Sequence, residues 1–280
     1  MAVLPKDAAT VMLLRDSLGG GGVQVLMVRR HADSNFAGGS YVFPGGKLDP
    51  EDCGEKTRAL CRGISPEKAA VLMPDVGSPD KSLGFWIAGL REVFEESGLL
   101  LAYGPDGGII SLSGEIQERF RIYRQQLQKS DLLFSEMIRR ENLYLAVDRL
   151  FYFSHWITPE TSPVRFDTRF FVAESPPGQE PLHDERETTE NVWISPRSVA
   201  KSDPNDFPMV FPTLKSLEAL AAFGSVAEVL KATEGKLIPA IIPRIILKDG
   251  KKRLVIPGDR EYSDSRYIVK VGGKPIEAES

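Results

Sequence analysis

One short segment limits what this chain can fold into more than any other. It is Arg-Glu-Val-Phe-Glu-Glu-Ser-Gly-Leu, Arg91 to Leu99, at the end of an apolar stretch that begins near Leu83. In an α-helix each residue turns the chain by about 100°, so residues three and four positions apart share a face. Glu92, Glu95 and Glu96 would therefore form one acidic stripe, while the apolar residues beside them are free to be buried.

Three carboxylates on one helical face repel one another, and each such pair destabilises a helix by roughly a few tenths of a kcal/mol. A bound cation would remove this repulsion. Hard oxygen ligands favour Mg²⁺ or Mn²⁺ over Zn²⁺, and no cluster of Cys and His accompanies these glutamates in the sequence. We therefore expect a divalent metal at this stripe. An acidic face exposed to solvent is the alternative interpretation.

An aromatic and β-branched run upstream, Tyr41 to Phe43, leads into Pro44, Gly45 and Gly46. This pattern predicts a strand that stops in a tight turn without side chains. The carbonyl of Gly46 would then be free to approach a cation and complete a carboxylate site.

Together, the two segments resemble the signature of the Nudix hydrolases, G-x5-E-x7-R-E-U-x-E-E-x-G-U, in which U is aliphatic. The second half matches at every specified position, namely Arg91, Glu92, Val93, Glu95, Glu96, Gly98 and Leu99. The first acid is Asp52 if the count starts at Gly46, and Glu51 if it starts at Gly45. A long insertion separates this acid from Arg91. The split signature is similar to that of the branch that includes the peroxisomal coenzyme A diphosphatases and their bacterial relatives.

The resemblance implies a Nudix fold of the α/β class, in which a mixed β-sheet lies between helices. It also implies the roles of the signature residues. Glu92, Glu95 and Glu96, with the carbonyl of Gly46, would hold Mg²⁺ or Mn²⁺ across a diphosphate and activate water for attack on phosphorus. Arg91 would orient these glutamates by pairing with the first acid.

The general base is either Glu92 or a glutamate on an acidic loop that precedes a strand bearing a Trp. Glu187, six residues before Trp193, is our candidate on that loop, with Glu185 and Glu190 as competitors. A solvated acidic loop is the alternative interpretation.

Nudix enzymes that cleave coenzyme A carry L-L-T-x-R-[SA]-x3-R-x3-G-x3-F-P-G-G before the signature. This chain matches the motif in part, at Leu26, Arg30, Gly39, Phe43, Pro44, Gly45 and Gly46. On that match, Arg30 and Phe43 are candidates for substrate binding. The guanidinium of Arg30 is suited to a phosphate, although a surface arginine at a strand end is an equal alternative.

Arg165 and Arg169 alternate with Asp167 along a predicted strand, so the three side chains would share one face of a sheet. That face would either line a phosphate-binding cleft, with both arginines binding substrate, or form a ladder of structural ion pairs.

The pattern of apolar residues and breakers predicts the remaining elements. We expect a hairpin of Ala8–Leu14 and Val23–Val28, a helix at Pro66–Met73, a strand at Leu99–Tyr103 after a Gly98 cap, two helices within Glu115–Arg140, strands at Leu150–Ile157 and Arg165–Ala173, helices at Pro212–Phe223 and Val226–Ala232, an extended Ile238–Ile242, and a turn at Lys251–Arg253. This organisation predicts a Nudix domain at 1–203, with an insertion at 53–82 and a helical segment at 114–141. Residues 204–280 would form a C-terminal appendage packed on it.

The composition of the chain limits the classes of molecule that it is expected to bind. With 35 basic and 39 acidic residues, the net charge of −4 gives no basic surface for nucleic acid. Two cysteines, Cys53 and Cys61, are too few for a disulfide framework, and no apolar run is long enough to span a membrane. We expect a cytoplasmic protein that binds a small nucleotide substrate and neither nucleic acid nor membrane. A homodimer is left open.

By this resemblance we expect metal-dependent hydrolysis of coenzyme A or acyl-CoA to 3′,5′-ADP and (acyl-)phosphopantetheine. A diphosphatase for ADP-ribose, a dinucleotide or a nucleotide sugar is the first alternative. The second is a Nudix-fold binding module that has lost hydrolysis, although such a module would be expected to have lost the signature glutamates.

Overall fold

The computed structural model describes residues 3–19, 21–33, 37–182, 188–199, 207–248, 251–259, 270–271 and 274–275. Its strands are β1 (Lys6–Asp16), β2 (Val23–Arg30), β3 (Tyr41–Val42), β4 (Gly45–Lys47), β5 (Ala102–Tyr103), β6 (Tyr144–Leu145), β7 (Phe151–Ile157), β8 (Phe166–Glu174), β9 (Thr188–Ile194), β10 (Ala240–Ile241), β11 (Arg244–Lys248), β12 (Lys251–Val255), β13 (Lys270–Val271) and β14 (Lys274–Pro275). Its helices are α1 (Glu55–Arg58), α2 (Pro66–Leu72), α3 (Pro79–Ser97), α4 (Gly114–Gln128), α5 (Phe134–Arg140), α6 (Pro196–Val199), α7 (Phe211–Leu220) and α8 (Val226–Thr233), with 3-10 turns at Pro50–Cys53 and Val147–Arg149.

A mixed sheet forms the centre of the described fold. Eight strands join it in the order β10-β7-β8-β1-β2-β3, with β4 beside β1 and β9 beside β2. The β1–β8 and β7–β10 pairs are parallel, and the other pairs are antiparallel. The first half of β1 pairs with β4 and its last residues pair with β2, so β1 and β2 diverge and the glycine strand β4 fills the gap.

Alternation along β1 divides the core between the two faces of the sheet. Ala9, Val11 and Leu13 pack with α3, α4 and α5 on one face. Met12 and Leu14 point to the other face and pack with residues of α7 and α8. The sheet therefore lies between helical layers, as predicted.

The insertion follows the 3-10 turn at Pro50–Cys53, contains α1 and α2, and then runs into α3. The predicted helix at Pro66–Met73 is confirmed as α2. Helix α3 begins at Pro79, before the apolar stretch, because the Ser78 hydroxyl caps it by accepting from the Lys81 N–H. At its other end, Gly98 has φ 74°, a left-handed conformation in which glycine is favoured. The two helices expected within Glu115–Arg140 are confirmed as α4 and α5.

Three local predictions were wrong. Gly45 and Gly46 do not form a turn but belong to β4, where they pair with Thr10 and Ala9. Of Leu99–Tyr103 only Ala102–Tyr103 is a strand, because the Gln179 side chain takes the place of a neighbouring strand and bonds both the N–H and the carbonyl of Leu100.

The third wrong prediction is the turn at Lys251–Arg253. These residues belong to β12, which pairs in register with β11.

Beyond Phe207 the chain covers the sheet face opposite α3, and α8 contacts β1, β7 and β8. The domain boundary near residue 203 stays a prediction. Across the described ranges, no helix combines the length and apolarity that a membrane span requires.

We expect Gly89→Ala to destabilise the fold, because a Cβ at this position would lie 2.9 Å from Val11 Cγ2 and 3.1 Å from Leu150 Cδ2. The overpacking should lower the free energy of unfolding by about 1–3 kcal/mol, despite the better helix propensity of Ala. Urea denaturation measures the change. Gly19→Ala is the control, since nothing lies within 4 Å of a Cβ there. Equal stability of the two variants would contradict the close packing of α3 on β1.

Cys53 and Cys61 are both free thiols in the structure. Burial raises the pKa of Cys61 to about 12, against a small lowering by Arg58. At pH 8 such a thiol is roughly one part in ten thousand thiolate, and the thiolate is the reactive form. We therefore expect iodoacetamide to label Cys61 at least about 100-fold more slowly in the native protein than after denaturation. Peptide mass spectrometry measures this, and rapid native labelling would show that the residue is not enclosed.

Candidate active site

A buried ion pair joins the two separated halves of the signature. Arg91 on α3 donates from Nε and Nη2 to the two carboxylate oxygens of Asp52, each at 3.0 Å. Arg91 is 6% exposed and Asp52 is 1% exposed. Glu51 instead accepts hydrogen bonds from Ser135. Of the two candidates for the first acid, Asp52 is therefore the one that contacts Arg91.

Arg91 also reaches the acidic stripe. Its Nη1 donates to Glu92 at 2.9 Å and lies 3.5 Å from an oxygen of Glu95. The carboxylate of Glu96 points to the glycine strand, where it accepts from the N–H of Gly45 at 3.0 Å. One arginine and one backbone N–H thus hold the three predicted glutamates.

The glycine strand provides the space for this arrangement. A Cβ at Gly46 would lie 2.3 Å from a carboxylate oxygen of Glu92. A Cβ at Gly45 would lie 2.5 Å from the Ala9 carbonyl. Glycine at position 46 therefore lets β4 approach α3 this closely, and glycine at position 45 lets β4 lie against β1.

Burial sets the electrostatics of the cluster. It raises the pKa of Glu92 to about 7, assisted by the charges of Glu95 and Asp52 and opposed by Arg91. Burial likewise raises the pKa of Glu95, again against the effect of Arg91. For Asp52, burial raises the pKa more than the hydrogen bond and charge of Arg91 lower it. Each carboxylate would gain from an additional positive charge nearby.

Residues 6–207 match the family model described as the NUDT19 Nudix domain. The chain belongs to this family. It is 26% identical over 283 residues to human acyl-coenzyme A diphosphatase NUDT19, a match covering 88% of this chain and 74% of the human protein. The Xenopus laevis protein of the same name is 25% identical over 200 residues, covering 62% of this chain and 53% of that protein. A NUDIX hydrolase structure from Alicyclobacillus acidocaldarius matches with a TM-score of 0.68 and 25% identity, covering 84% of this chain and 98% of that one.

The predicted family and Nudix fold are thereby confirmed, and a Nudix-type diphosphatase is the corresponding enzyme class. The signature of the family is called the Nudix box. Arg91–Leu99 forms its second half, and β4 carries its glycine. The packing of these two parts is consistent with a Nudix box, because α3 contacts both β4 and β1.

The donor set around Gly46 fits a hard divalent cation. Glu92, Glu95 and Glu96 offer carboxylate oxygens beside a backbone that has no side chain in the way. Among the described residues, no three His, Cys, Asp or Glu side chains stand in a ready-made ligand arrangement. The carboxylates turn instead to Arg91 and to the Gly45 N–H. A cation would compete with Arg91 and the Gly45 N–H for these carboxylates.

The other predicted site residues lie in different places. Arg30, at the end of β2, has a buried Nε that bonds to none of the described residues. Phe43 is buried on the sheet face opposite α3. Arg165 donates to the carbonyls of Thr158 and Val3, which ties the start of β8 to the N-terminal segment. Glu187 and its competitor Glu185 lie outside the described residues, whereas Glu190 accepts from the hydroxyl of Tyr41.

Arg169 belongs to an ion-pair cluster, which the sequence offered as one of two interpretations of the alternating β8 residues. It contacts Asp167 and His155 on the sheet and Asp75 in the insertion. Burial raises the pKa of Asp167, but the hydrogen bond from His155 and the charge of Arg169 lower it further, so that the net pKa falls below its ordinary value. The cluster fastens the insertion to the sheet.

Sequence reasoning missed the residues that hold the end of the box helix. Arg124 and Gln128 on α4 donate to the carbonyl of Glu95 at 2.7 Å and 3.0 Å. A cavity of about 350 Å³ lies beside them, with Phe94 and Phe120 among its lining residues. Their spacing of four residues on α4 placed them on one face, but nothing in the sequence indicated which helix end that face would meet.

We expect the Arg91–Asp52 pair to stabilise the fold as a unit. Arg91→Met leaves Asp52 buried without its cation and should lower the free energy of unfolding by about 3–5 kcal/mol. Asp52→Asn should be milder, because its amide keeps the shape of the carboxylate. The double variant should be more stable than the sum of the two losses predicts, by at least about 1 kcal/mol. Denaturant titration of the four proteins measures this coupling, and strict additivity would contradict it.

Proposed function

We propose that this protein hydrolyses the diphosphate linkage of coenzyme A or acyl-CoA, giving 3′,5′-ADP and (acyl-)phosphopantetheine. The observation that carries the proposal is the gathering of the three box glutamates beside β4, where a buried arginine holds Glu92 and Glu95 and the Gly45 N–H holds Glu96. The names of the human and Xenopus laevis relatives support the choice of substrate. The substrate would be a small nucleotide derivative, and bound metal would screen its negative charge from the acidic protein.

Glu92, Glu95 and Glu96, with the carbonyl of Gly46, would hold Mg²⁺ or Mn²⁺. When bound, the ions would neutralise the diphosphate and make a water molecule more acidic. Arg91 is a positioning residue, because its guanidinium sets the orientation of Glu92 and Glu95 while Asp52 holds it in place. Either Glu92 or Glu187 would accept the proton from the attacking water.

Arg30 would bind a phosphate of the substrate. Its buried Nε has no hydrogen-bond partner among the described residues, and a guanidinium pairs well with phosphate oxygens. The substrate-binding roles expected of Phe43, Arg165 and Arg169 receive less support, since all three are occupied in packing or in internal hydrogen bonds. Cytoplasmic location, a possible homodimer and the 1–203 and 204–280 division also remain proposals.

The experiment is product analysis after incubation with Mg²⁺ or Mn²⁺ and a panel of CoA, acyl-CoA, ADP-ribose, NADH and diadenosine polyphosphates. We expect 3′,5′-ADP from the CoA species in preference to products from the others. Preference for another member would keep the diphosphatase chemistry and reject the CoA assignment. No turnover of any member would favour the binding module.

We expect Glu95→Gln to lower kcat by at least about 100-fold, because it removes one carboxylate charge from the metal site. It should also weaken Mn²⁺ binding, measured by isothermal titration calorimetry. Glu118→Gln is the matched control, since Glu118 is an exposed α4 residue that pairs with Arg121. Unchanged metal affinity and kcat in Glu95→Gln would contradict the assigned site.

A further inference from the structure

Two side chains of β9 carry buried polar atoms for which the described part of the chain provides no hydrogen-bond partner. Both the amide nitrogen and the amide oxygen of Asn191 lack a hydrogen-bond partner, and so does the indole N–H of Trp193. A buried polar atom without a partner costs folding free energy, and such atoms are few in native proteins. Because both ends of the Asn191 amide are unpartnered, the finding does not depend on which end is nitrogen.

These atoms lie on the face of the sheet that carries the box helix. Trp193 packs with the core cluster of α3, and it pairs with Leu26 of the same cluster. Asn191 is two residues away on the same strand, so its side chain is on the same face. Among the strands of the sheet, α3 packs mainly on β1 and β4, so β9 lies to one side of the helix.

The register places Asn191 near the proposed diphosphate site. Val28 of β2 pairs with Asn191 on one side and with Val42 of β3 on the other. Neighbouring strands are about 4.8 Å apart, so Asn191 is about 10 Å from Val42 across the sheet. Val42 is followed within three residues by Gly45, whose N–H holds Glu96. A substrate with its diphosphate at Glu96 would have its next groups within reach of β9.

We propose that Asn191 and the Trp193 N–H bind the polar part of the substrate that extends from the diphosphate. An asparagine amide with both ends free recognises a planar group that offers one donor and one acceptor side by side. In coenzyme A the edge of adenine offers this pair side by side. Each secondary amide of the pantetheine arm offers its N–H and its carbonyl on opposite edges, so it would bond one end of the Asn191 amide. The proposal rests on the proposed function and adds two substrate-binding residues to it.

The test compares the affinity of the wild type and Asn191→Leu for 3′,5′-ADP and for 4′-phosphopantetheine, measured by isothermal titration calorimetry. Loss of the amide should weaken one of the two by about tenfold, which corresponds to about 1.4 kcal/mol. Weaker 3′,5′-ADP binding assigns Asn191 to adenine, and weaker 4′-phosphopantetheine binding assigns it to the arm. The melting temperature should equal or exceed that of the wild type, because an unsatisfied amide has been removed from the interior.

Affinities within twofold of the wild type for both products would overturn the proposal and leave Asn191 as the site of an ordered water. Trp193→Phe keeps the ring stacked against Arg15 but removes the N–H, so it tests the same surface if the first variant folds poorly. Thr189→Val is the control, because its exposed hydroxyl lies on the same strand and bonds only weakly to the Arg29 carbonyl at 3.5 Å. The Trp193→Phe and Thr189→Val variants should both bind metal as the wild type does.

Failure of the proposed function would be visible in the wild type alone, as absence of CoA hydrolysis. If the wild type cleaves another diphosphate, the same comparison is made with the two products of that substrate.

Discussion

The buried contact between Arg91 and Asp52 is the interaction on which the arrangement of the site depends. It joins two parts of the chain that are far apart in sequence, and it leaves one guanidinium nitrogen for Glu92 and Glu95. Asp52 is not tolerable without Arg91, because a buried charge without a counter-charge is strongly unfavourable. The same pair therefore stabilises the fold and sets the direction of Glu92 and Glu95. Arg91 therefore serves both the stability of the fold and the geometry of the candidate site.

The glycine strand is the second half of this arrangement. Strands β1 and β2 separate, and β4 enters the gap with two residues that have no side chain. The backbone of β4 can then reach the carboxylates of Glu92 and Glu96 directly. A turn at this point, as the Pro-Gly-Gly pattern predicted, would have presented the same glycines but not the ladder to Ala9 that holds them in position.

Some features of the site follow from residues close together in the sequence, and others depend on tertiary contacts. Helical periodicity alone placed Glu92, Glu95 and Glu96 on one face, and the family signature named Arg91. The choice between Asp52 and Glu51 was beyond reach, because the two acids are adjacent and only the tertiary contact separates them. The Gln179 side chain that replaces a strand beside Leu100 gave no local signal either. Glu187 lies outside the described residues, so its role stays a prediction.

The long insertion is compatible with this site for a physical reason. Asp52 is placed by its contact with Arg91 rather than by its distance along the chain, so residues added between them need only begin and end in the right places. The 3-10 turn at Pro50–Cys53 and the capped start of α3 provide those two ends. Loop-closure entropy grows only logarithmically with length, and the Asp75–Arg169 contact ties the added chain back to the sheet. A Nudix box can thus be interrupted in sequence while its side chains stay together in space.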